Sequence, residues 1–282
     1  MSTYVHDEAG FEGVGGVHLF YRFYKPKEYK NVIVYVHGLG DHSGRYVYPI
    51  EYLIDRGIAF YGLDLLGHGK SGGKRGHVAR FSQYVNDLKT FMNIVKKREG
   101  TDKAFFLFGH SMGGLIAARF IEEYPQMVRG LMLSSAALEP NREPPPMTAR
   151  MGTFLSKYIP KFTMTNEIDP VFLSHDKTVI KRYIEDGLVH NKISARLLTE
   201  MAHAMETVFE KASEVNVPVL VMHAGDDHLI SLNGSRRFYR ELGSEDKKLI
   251  VFEGFYHDLI NEVDRIKVFQ EMETWLEPML LT

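Results

Sequence analysis

The chain has 282 residues, 44% hydrophobic and 25% charged, an ordinary globular composition with room for one α/β domain carrying an insertion. Lys and Arg total 34 against 36 Asp and Glu, a formal net charge of -2, so the overall balance calls for neither nucleic acid nor an anionic membrane. Cysteine is absent, which excludes disulfides, thiolate metal sites and cysteine catalysis.

Taken in order, Met1–Glu8 has no basic region and no apolar core, so no secretory leader is expected. No apolar run approaches the ~18 residues of a membrane span. The expectation is a cytoplasmic protein, at most peripheral at membranes. Val17–Tyr24 is aromatic and β-prone, and Pro26 ends it, which predicts an early strand. Asn31–Val36 is rich in β-branched residues, as in a strand buried on both faces of a parallel sheet. It runs into the glycine-rich loop His37–Tyr46, at a strand's carboxyl end, where α/β sheets build sites. A helix is predicted over 45–55 and a strand over Ile58–Leu63. Gly67–Gly76 contains Gly69-Lys70-Ser71 but fails the P-loop spacing, because position 64 is Asp64. It reads as a mobile surface loop, not a phosphate cradle. Phe81, Tyr84, Val85, Leu88, Phe91, Met92 and Val95 recur at three and four residues, predicting an amphipathic helix over 81–98.

The run Ala104–Phe108 then leads into Gly109-His110-Ser111-Met112-Gly113-Gly114, and a helical pattern, Leu115–Ile121, leads out. Strand, Gly-x-Ser-x-Gly turn and helix in that order are the context of a nucleophile elbow. Gly109 and Gly113 are small enough to let strand and helix approach. The helix begins just after Ser111, so its free N–H groups, Met112 first, face any oxyanion formed there. A bare Gly-x-Ser-x-Gly is also compatible with a plain strand-to-helix turn; downstream partners decide between the two.

Val128–Leu133 is another strand, and the alternation up to it argues a parallel sheet with helices on both faces. The prolines of Glu139–Pro146 break the pattern. From Met147 to about Phe209 the periodicity is helical, with no strand. Asn216–Met222 restores the strand grammar. The division is therefore an α/β core over 1–138 and 212–282, with a helical insertion at 139–211. Asp226 and Asp227 both stand in the loop after that strand, where a triad's acid or an ordinary turn would place them. The last strand is Lys247–Phe252, then His257 in a loop, then a helix over 261–276. Serine, aspartate and histidine in this order match the α/β-hydrolase arrangement. A serine hydroxyl needs a base to take its proton, and that base needs its other nitrogen held by a carboxylate. His110 reads as a turn residue pointing away from Ser111, and His37 as ordering its own loop. No metal-ligand spacing appears, and no metal or cofactor is expected.

His37–Tyr46, Gly67-His68-Gly69-x-Ser71, Gly109–Gly114 and Glu253-Gly254-x-Tyr256-His257 together resemble the monoacylglycerol lipase branch of the serine α/β-hydrolases. The resemblance covers both core segments, most specifically His37–Tyr46, and is weak through the insertion. It implies Asp227 as the acid, since Asp227-His228-Leu229-Ile230 matches the family pattern better than a frame starting at Asp226. It implies the Leu39 N–H as second oxyanion donor beside Met112. It also implies that Asp41, Arg45 and a tyrosine of the insertion, Tyr183, hold the glycerol, with Asp41–Arg45 as a purely structural ion pair the alternative. Asp41 stands where glutamate is familiar, and Leu39 is bulkier than in some relatives.

The insertion resembles the family's cap. Among Phe154, Leu155, Tyr158, Ile159, Phe162, Met164, Val171, Phe172 and Leu173, most are expected to pack it onto the core and a few to line an acyl tunnel or meet lipid. The resemblance implies a hydrolase of monoacylglycerol esters with a lipid ester substrate, transient membrane-surface contact through the cap, and neither nucleic acid nor an obligate protein partner. Lysophospholipase, broad carboxylesterase or thioesterase activity, and a non-catalytic binding fold, remain open.

Overall fold

The computed structural model describes residues 4–100, 102–142, 145–166 and 168–281. Met1–Thr3, and Glu143 and Pro144 of the proline cluster, lie outside the described residues. In chain order the elements are β1 (Tyr4–Glu12), β2 (His18–Pro26), β3 (Asn31–Val36), α1 (Val47–Leu53), β4 (Ile58–Leu63), α2 (Ser82–Glu99), β5 (Ala104–His110), α3 (Met112–Glu123) and β6 (Gly130–Ser134). There follow α4 (Pro146–Tyr158), β7 (Thr163–Thr165), α5 (Lys177–Glu185), β8 (Lys192–Ser194) and α6 (Ala195–Thr207). The chain closes with β9 (Val219–Ala224), α7 (Leu232–Glu241), β10 (Lys247–Phe252) and α8 (Arg265–Leu276).

Eight strands form one sheet in the order β1-β2-β4-β3-β5-β6-β9-β10. β2 is antiparallel to both neighbours and the other pairs are parallel. Alternate side chains of the central strands feed two cores. Val32, Val34 and Val36 join Tyr84, Leu88, Phe91 and Ile116 on one face. Ile33 and Tyr35 join Ile50, Leu53, Phe269 and Leu276 on the other. Helices thus cover both faces, and this is an α/β-hydrolase fold.

The segment between β6 and β9 departs from the all-helical expectation. β7 and β8 pair as an antiparallel ribbon, Met164 opposite Ile193. Three residues per strand are too few to register as a period-2 pattern in sequence. The helix expected at 45–55 is shorter: a single 3₁₀ turn, Ser43–Arg45, precedes α1. β1 has no counterpart in the sequence reading, because an edge strand with exposed Val5, His6, Asp7 and Glu8 lacks the apolar alternation of a buried one.

The loop after β4 is not a mobile surface segment. His68 is fully buried, and Asp64 accepts hydrogen bonds from the backbone N–H of Ser43 and of Lys70, both at 2.8 Å. Ser71 Oγ accepts from the Phe20 N–H at 2.8 Å. The glycines let the chain coil tightly round these buried polar groups; they do not mark flexibility.

Candidate active site

β5 ends at His110 and α3 starts at Met112, so Ser111 takes the whole change of direction, with φ 53° and ψ -123°. Positive φ in a residue other than glycine costs about 1–3 kcal/mol unless its surroundings fix it. Here the Ser111 N–H donates to Ser134 O at 3.0 Å, and its carbonyl accepts from the N–H groups of Gly114, Leu115 and Ala137 at 2.9, 3.2 and 3.0 Å. The elbow also requires close backbone approach. A Cβ on Gly113 would stand 2.2 Å from the Val36 carbonyl oxygen, and one on Gly38 would lie 3.2 Å from Ser111 Cβ. The loop after β3 therefore rests directly against the serine. Leu39, next in that loop, and Met112, whose N–H precedes any intrahelical acceptor, line the same cavity as Ser111.

His257, buried beyond β10, opens onto this cavity as well. Its Nδ1 is 2.7 Å from Asp227 Oδ2. Asp227 Oδ1 accepts from the Leu229 and Ile230 N–H groups, each at 2.9 Å. With a carboxylate accepting at Nδ1, the ring proton sits there and Nε2 is left as the acceptor. Burial alone would raise the Asp227 pKa, but the His257 charge and hydrogen bond outweigh it and hold it near 2. Burial would lower that of His257, yet Asp227 carries it above its ordinary value. Asp226, in contrast, is exposed. Of the two adjacent aspartates, Asp227 is the one that meets the histidine.

A second imidazole stands on the far side of Asp227. His223 Nε2 is 3.6 Å from Asp227 Oδ2, and Nδ1 is 2.8 Å from Ser235 Oγ. Burial pushes its pKa down to about 4, so it is neutral at pH 7. His110 does not point away from the site as expected. Its ring lies 4.9 Å from that of His257, and both it and Ser111 face the cavity. The sharp elbow breaks strand alternation, so consecutive residues reach one space.

The cavity holds about 660 Å³. One part of its wall is polar. Arg45 Nε lies 3.0 Å from Asp41 Oδ1, and Arg45 Nη2 lies 3.9 Å from Asp258 Oδ2. The Tyr183 ring centroid is 4.8 Å from the guanidinium carbon. Asp41, Tyr183 and Asp258 line the cavity, with Arg45 packed among them. Asp41 Oδ1 and Arg45 Nε are an ion pair that meets off the N–H axis, and Asp258 Oδ1 is buried without a hydrogen-bond partner in the protein. Buried polar atoms in that state are costly unless a ligand or water completes them. Much of the remaining wall is apolar, including Met164, Phe172, Leu173, Ile193, Leu198 and Met201, while Asn141, Arg142, Thr148, Thr165, Asn166, Asp169 and His228 add polar groups to it.

The profile of the family described as Serine aminopeptidase, S33, matches residues 27–264. The monoacylglycerol lipase of Mycolicibacterium smegmatis is 32% identical over 98% of this chain and 99% of its own length. The crystal structure of Paleococcus ferrophilus monoacylglycerol lipase superposes with a TM-score of 0.81 at 32% identity, over 98% of each chain. The chain belongs to the monoacylglycerol lipase branch of the α/β-hydrolases. A soluble variant of monoglyceride lipase from Saccharomyces cerevisiae, in complex with a substrate analog, shares the fold at TM-score 0.87 and 22% identity.

Within this family frame, Ser111, His257, Leu39, Met112, Asp41 and Tyr183 line one cavity, with Asp227 behind His257 and Arg45 behind Asp41. Sequence reading missed Asp258, His223 and the placement of His110. Asp258 follows His257 directly, but nothing in a sequence tells which of two neighbouring loop side chains turns inward. The apolar residues of α4 also run against expectation. Phe154, Tyr158, Ile159 and Phe162 are exposed, not packed on the core, as is Val171. Met147, Met151, Phe154 and Tyr158 recur at four and three residues and form a stripe along one side of α4. Leu155 is half-buried, while Met164, Phe172 and Leu173 line the cavity.

Proposed function

We propose that this chain is a serine hydrolase that cleaves the ester of monoacylglycerols to fatty acid and glycerol. One observation carries the substrate class: beside its apolar residues, the cavity at Ser111 has a polar wall of Asp41, Tyr183 and Asp258, with Arg45 ion-paired to Asp41 behind it and Asp258 Oδ1 left without a protein partner. Vicinal hydroxyls complement such a wall, because hydroxyls donate to carboxylates. The names of the relatives support the same class.

In this reading Ser111 Oγ attacks the ester carbonyl while His257 Nε2 takes its proton. The N–H groups of Leu39 and Met112 stabilise the oxyanion. Asp227 holds His257 in the accepting tautomer and stabilises the imidazolium. Collapse expels the glycerol, protonated by His257, and leaves an acyl-Ser111 ester. Water, deprotonated by His257, then releases the fatty acid. Residues 139–211 act as the cap over the acyl cavity, and the α4 stripe contacts the membrane surface from which substrate is drawn.

The test is hydrolysis of a monoacylglycerol series against lysophosphatidylcholine and short p-nitrophenyl esters, with Ser111→Ala as control. Preference for monoacylglycerols, a fall of ~10³ or more in the variant, and fluorophosphonate labelling that requires Ser111 support the reading. Equal turnover of all esters removes the glycerol assignment, and activity surviving Ser111→Ala refutes the mechanism.

A further inference from the structure

Outside the site just described, a second cavity of about 590 Å³ lies between the loop after β4 and the β7–β8 ribbon. Lys74, Arg75, Lys192, Thr163, Thr165 and Asn191 contribute to its lining, with no carboxylate among the described lining residues. Its walls are fixed by backbone and side-chain bonds. The Ser194 N–H donates to Gly76 O at 2.7 Å, and His190 Nε2 lies 3.1 Å from Gly67 O. Arg75 Nη2 donates to Gly69 O at 2.7 Å, which orients the guanidinium, while Nη1 is buried with no partner. Lys74 Nζ donates to the Lys161 carbonyl, which ties the loop after β4 to the segment after α4. Lys74, Arg75, Lys161 and Lys192 form no ion pair with a carboxylate among the described residues. The local field is correspondingly positive. His77 is held below its ordinary pKa by burial first and then by Lys161, Lys74 and Arg196.

A pre-formed cavity of cations, hydroxyls and an amide suits a multiply bonding oxyanion. Its position selects the source. Lys161 is followed by exposed Phe162, and the α4 stripe of Tyr158, Phe154, Met151 and Met147 leads away from it. An apolar stripe ending at an unpaired cationic pocket is the layout of an interfacial element on an anionic bilayer. We propose that this pocket binds the phosphate of an anionic phospholipid headgroup and docks the cap on negatively charged membrane. This rests on the reading that α4 meets the membrane surface, and it adds the lipid class.

The experiment is co-sedimentation of the full chain carrying Ser111→Ala, which leaves lipid intact, with two vesicle types. One is pure phosphatidylcholine and the other contains roughly a third phosphatidylglycerol. Lys74→Gln/Lys192→Gln is compared in the same background and spares the Arg75–Gly69 bond. Stronger binding to the anionic vesicles is expected. The double variant should lose about fivefold of that preference per cation removed, with binding to neutral vesicles unchanged. In the Ser111-containing enzyme, turnover of a soluble short-chain ester should be unaffected by the pair, which verifies folding. Equal binding to both vesicle types overturns the pocket while leaving the α4 contact standing. Binding to neither overturns both. If inorganic phosphate binds with an affinity abolished by the double variant, yet the vesicles are not distinguished, the site is one for free phosphate and the lipid assignment is refuted.

Discussion

Asp227→Asn isolates the electrostatic part of the triad. The asparagine amide is close in shape to the carboxylate, and its oxygen can keep the hydrogen bonds from the Leu229 and Ile230 N–H groups at 2.9 Å. Its NH₂ then faces His257 Nδ1, now 2.7 Å from Asp227 Oδ2, and donates where the carboxylate accepted. That favours the tautomer protonated at Nε2, which cannot accept the Ser111 proton. The imidazolium formed during attack also loses its counter-charge. Loss of tautomer control in a triad of this kind lowers kcat by ~10⁴, about 5.5 kcal/mol at 1.36 kcal/mol per decade. The pH profile supplies a second readout. Neutral His257 is the active base and its pKa is raised, chiefly by Asp227 acting against burial, so the acid limb of kcat/KM should lie above 6.5. In the variant that limb should move to lower pH. Asp226→Asn, on an exposed neighbour, should stay within about twofold of the parent. Steady-state kinetics from pH 5 to 9 on a soluble ester measures all three. The reasoning fails if Asp226→Asn loses the activity, or if Asp227→Asn retains a tenth of it.

Asp258→Asn removes one carboxylate charge from the polar wall, at the residue whose Oδ1 has no protein partner. It should raise KM for monoacylglycerol about tenfold, with little change for a p-nitrophenyl ester that has no polyol. The same variant should narrow the discrimination against anionic head groups, measured with lysophosphatidylglycerol. His223 is buried with a folded pKa of about 4 against 6.5 unfolded, so the unfolded chain takes up more protons between those values. Its stabilising contribution is present above 6.5 and is lost as pH falls toward 4, by about 2 kcal/mol at pH 5. His223→Gln should flatten the decline in thermal midpoint between pH 7 and pH 5, as followed by calorimetry. Phe154→Gln/Tyr158→Gln should weaken binding to neutral and anionic vesicles alike, by roughly tenfold, and leave soluble-ester turnover intact; a change confined to anionic vesicles would contradict the role given to the stripe.

The parts legible in sequence were those with strong local rules. The elbow at Ser111 needs small neighbours and a strand-to-helix boundary, both written in consecutive residues. The strands of the sheet interior, such as Asn31–Val36 and Ile58–Leu63, announce themselves by their residue types and appear at those bounds. What stayed hidden depends on three-dimensional neighbours. Edge strand β1 carries polar residues because solvent permits them. β7 and β8 are too short to show a period. The loop around His68 looked flexible because its glycines advertise backbone freedom; in the folded chain that freedom is used to wrap a buried imidazole. Asp258 and His223 are loop and strand residues whose importance comes only from facing Asp41, Arg45 and Asp227. A net charge of -2 likewise averages away a pocket where three cations stand together.

One contact near the serine bears on how such enzymes diversify. Gly40, left-handed at φ 75°, accepts a hydrogen bond from the His190 N–H at 2.9 Å, and a Cβ on it would meet the His190 carbonyl oxygen at 2.2 Å. Leu39 is the adjacent residue, so the loop that rests against the serine is bolted to the tail of the inserted segment. The leading end of that segment is anchored too, by the Ser231 N–H to Glu139 O at 3.0 Å and by Asn141 Nδ2 to His228 O at 3.1 Å. What lies between the two anchors, α4 with its exposed face, is the part that can be reshaped for new lipids. A chimera that imports a foreign trailing end must import a partner for Gly40 with it.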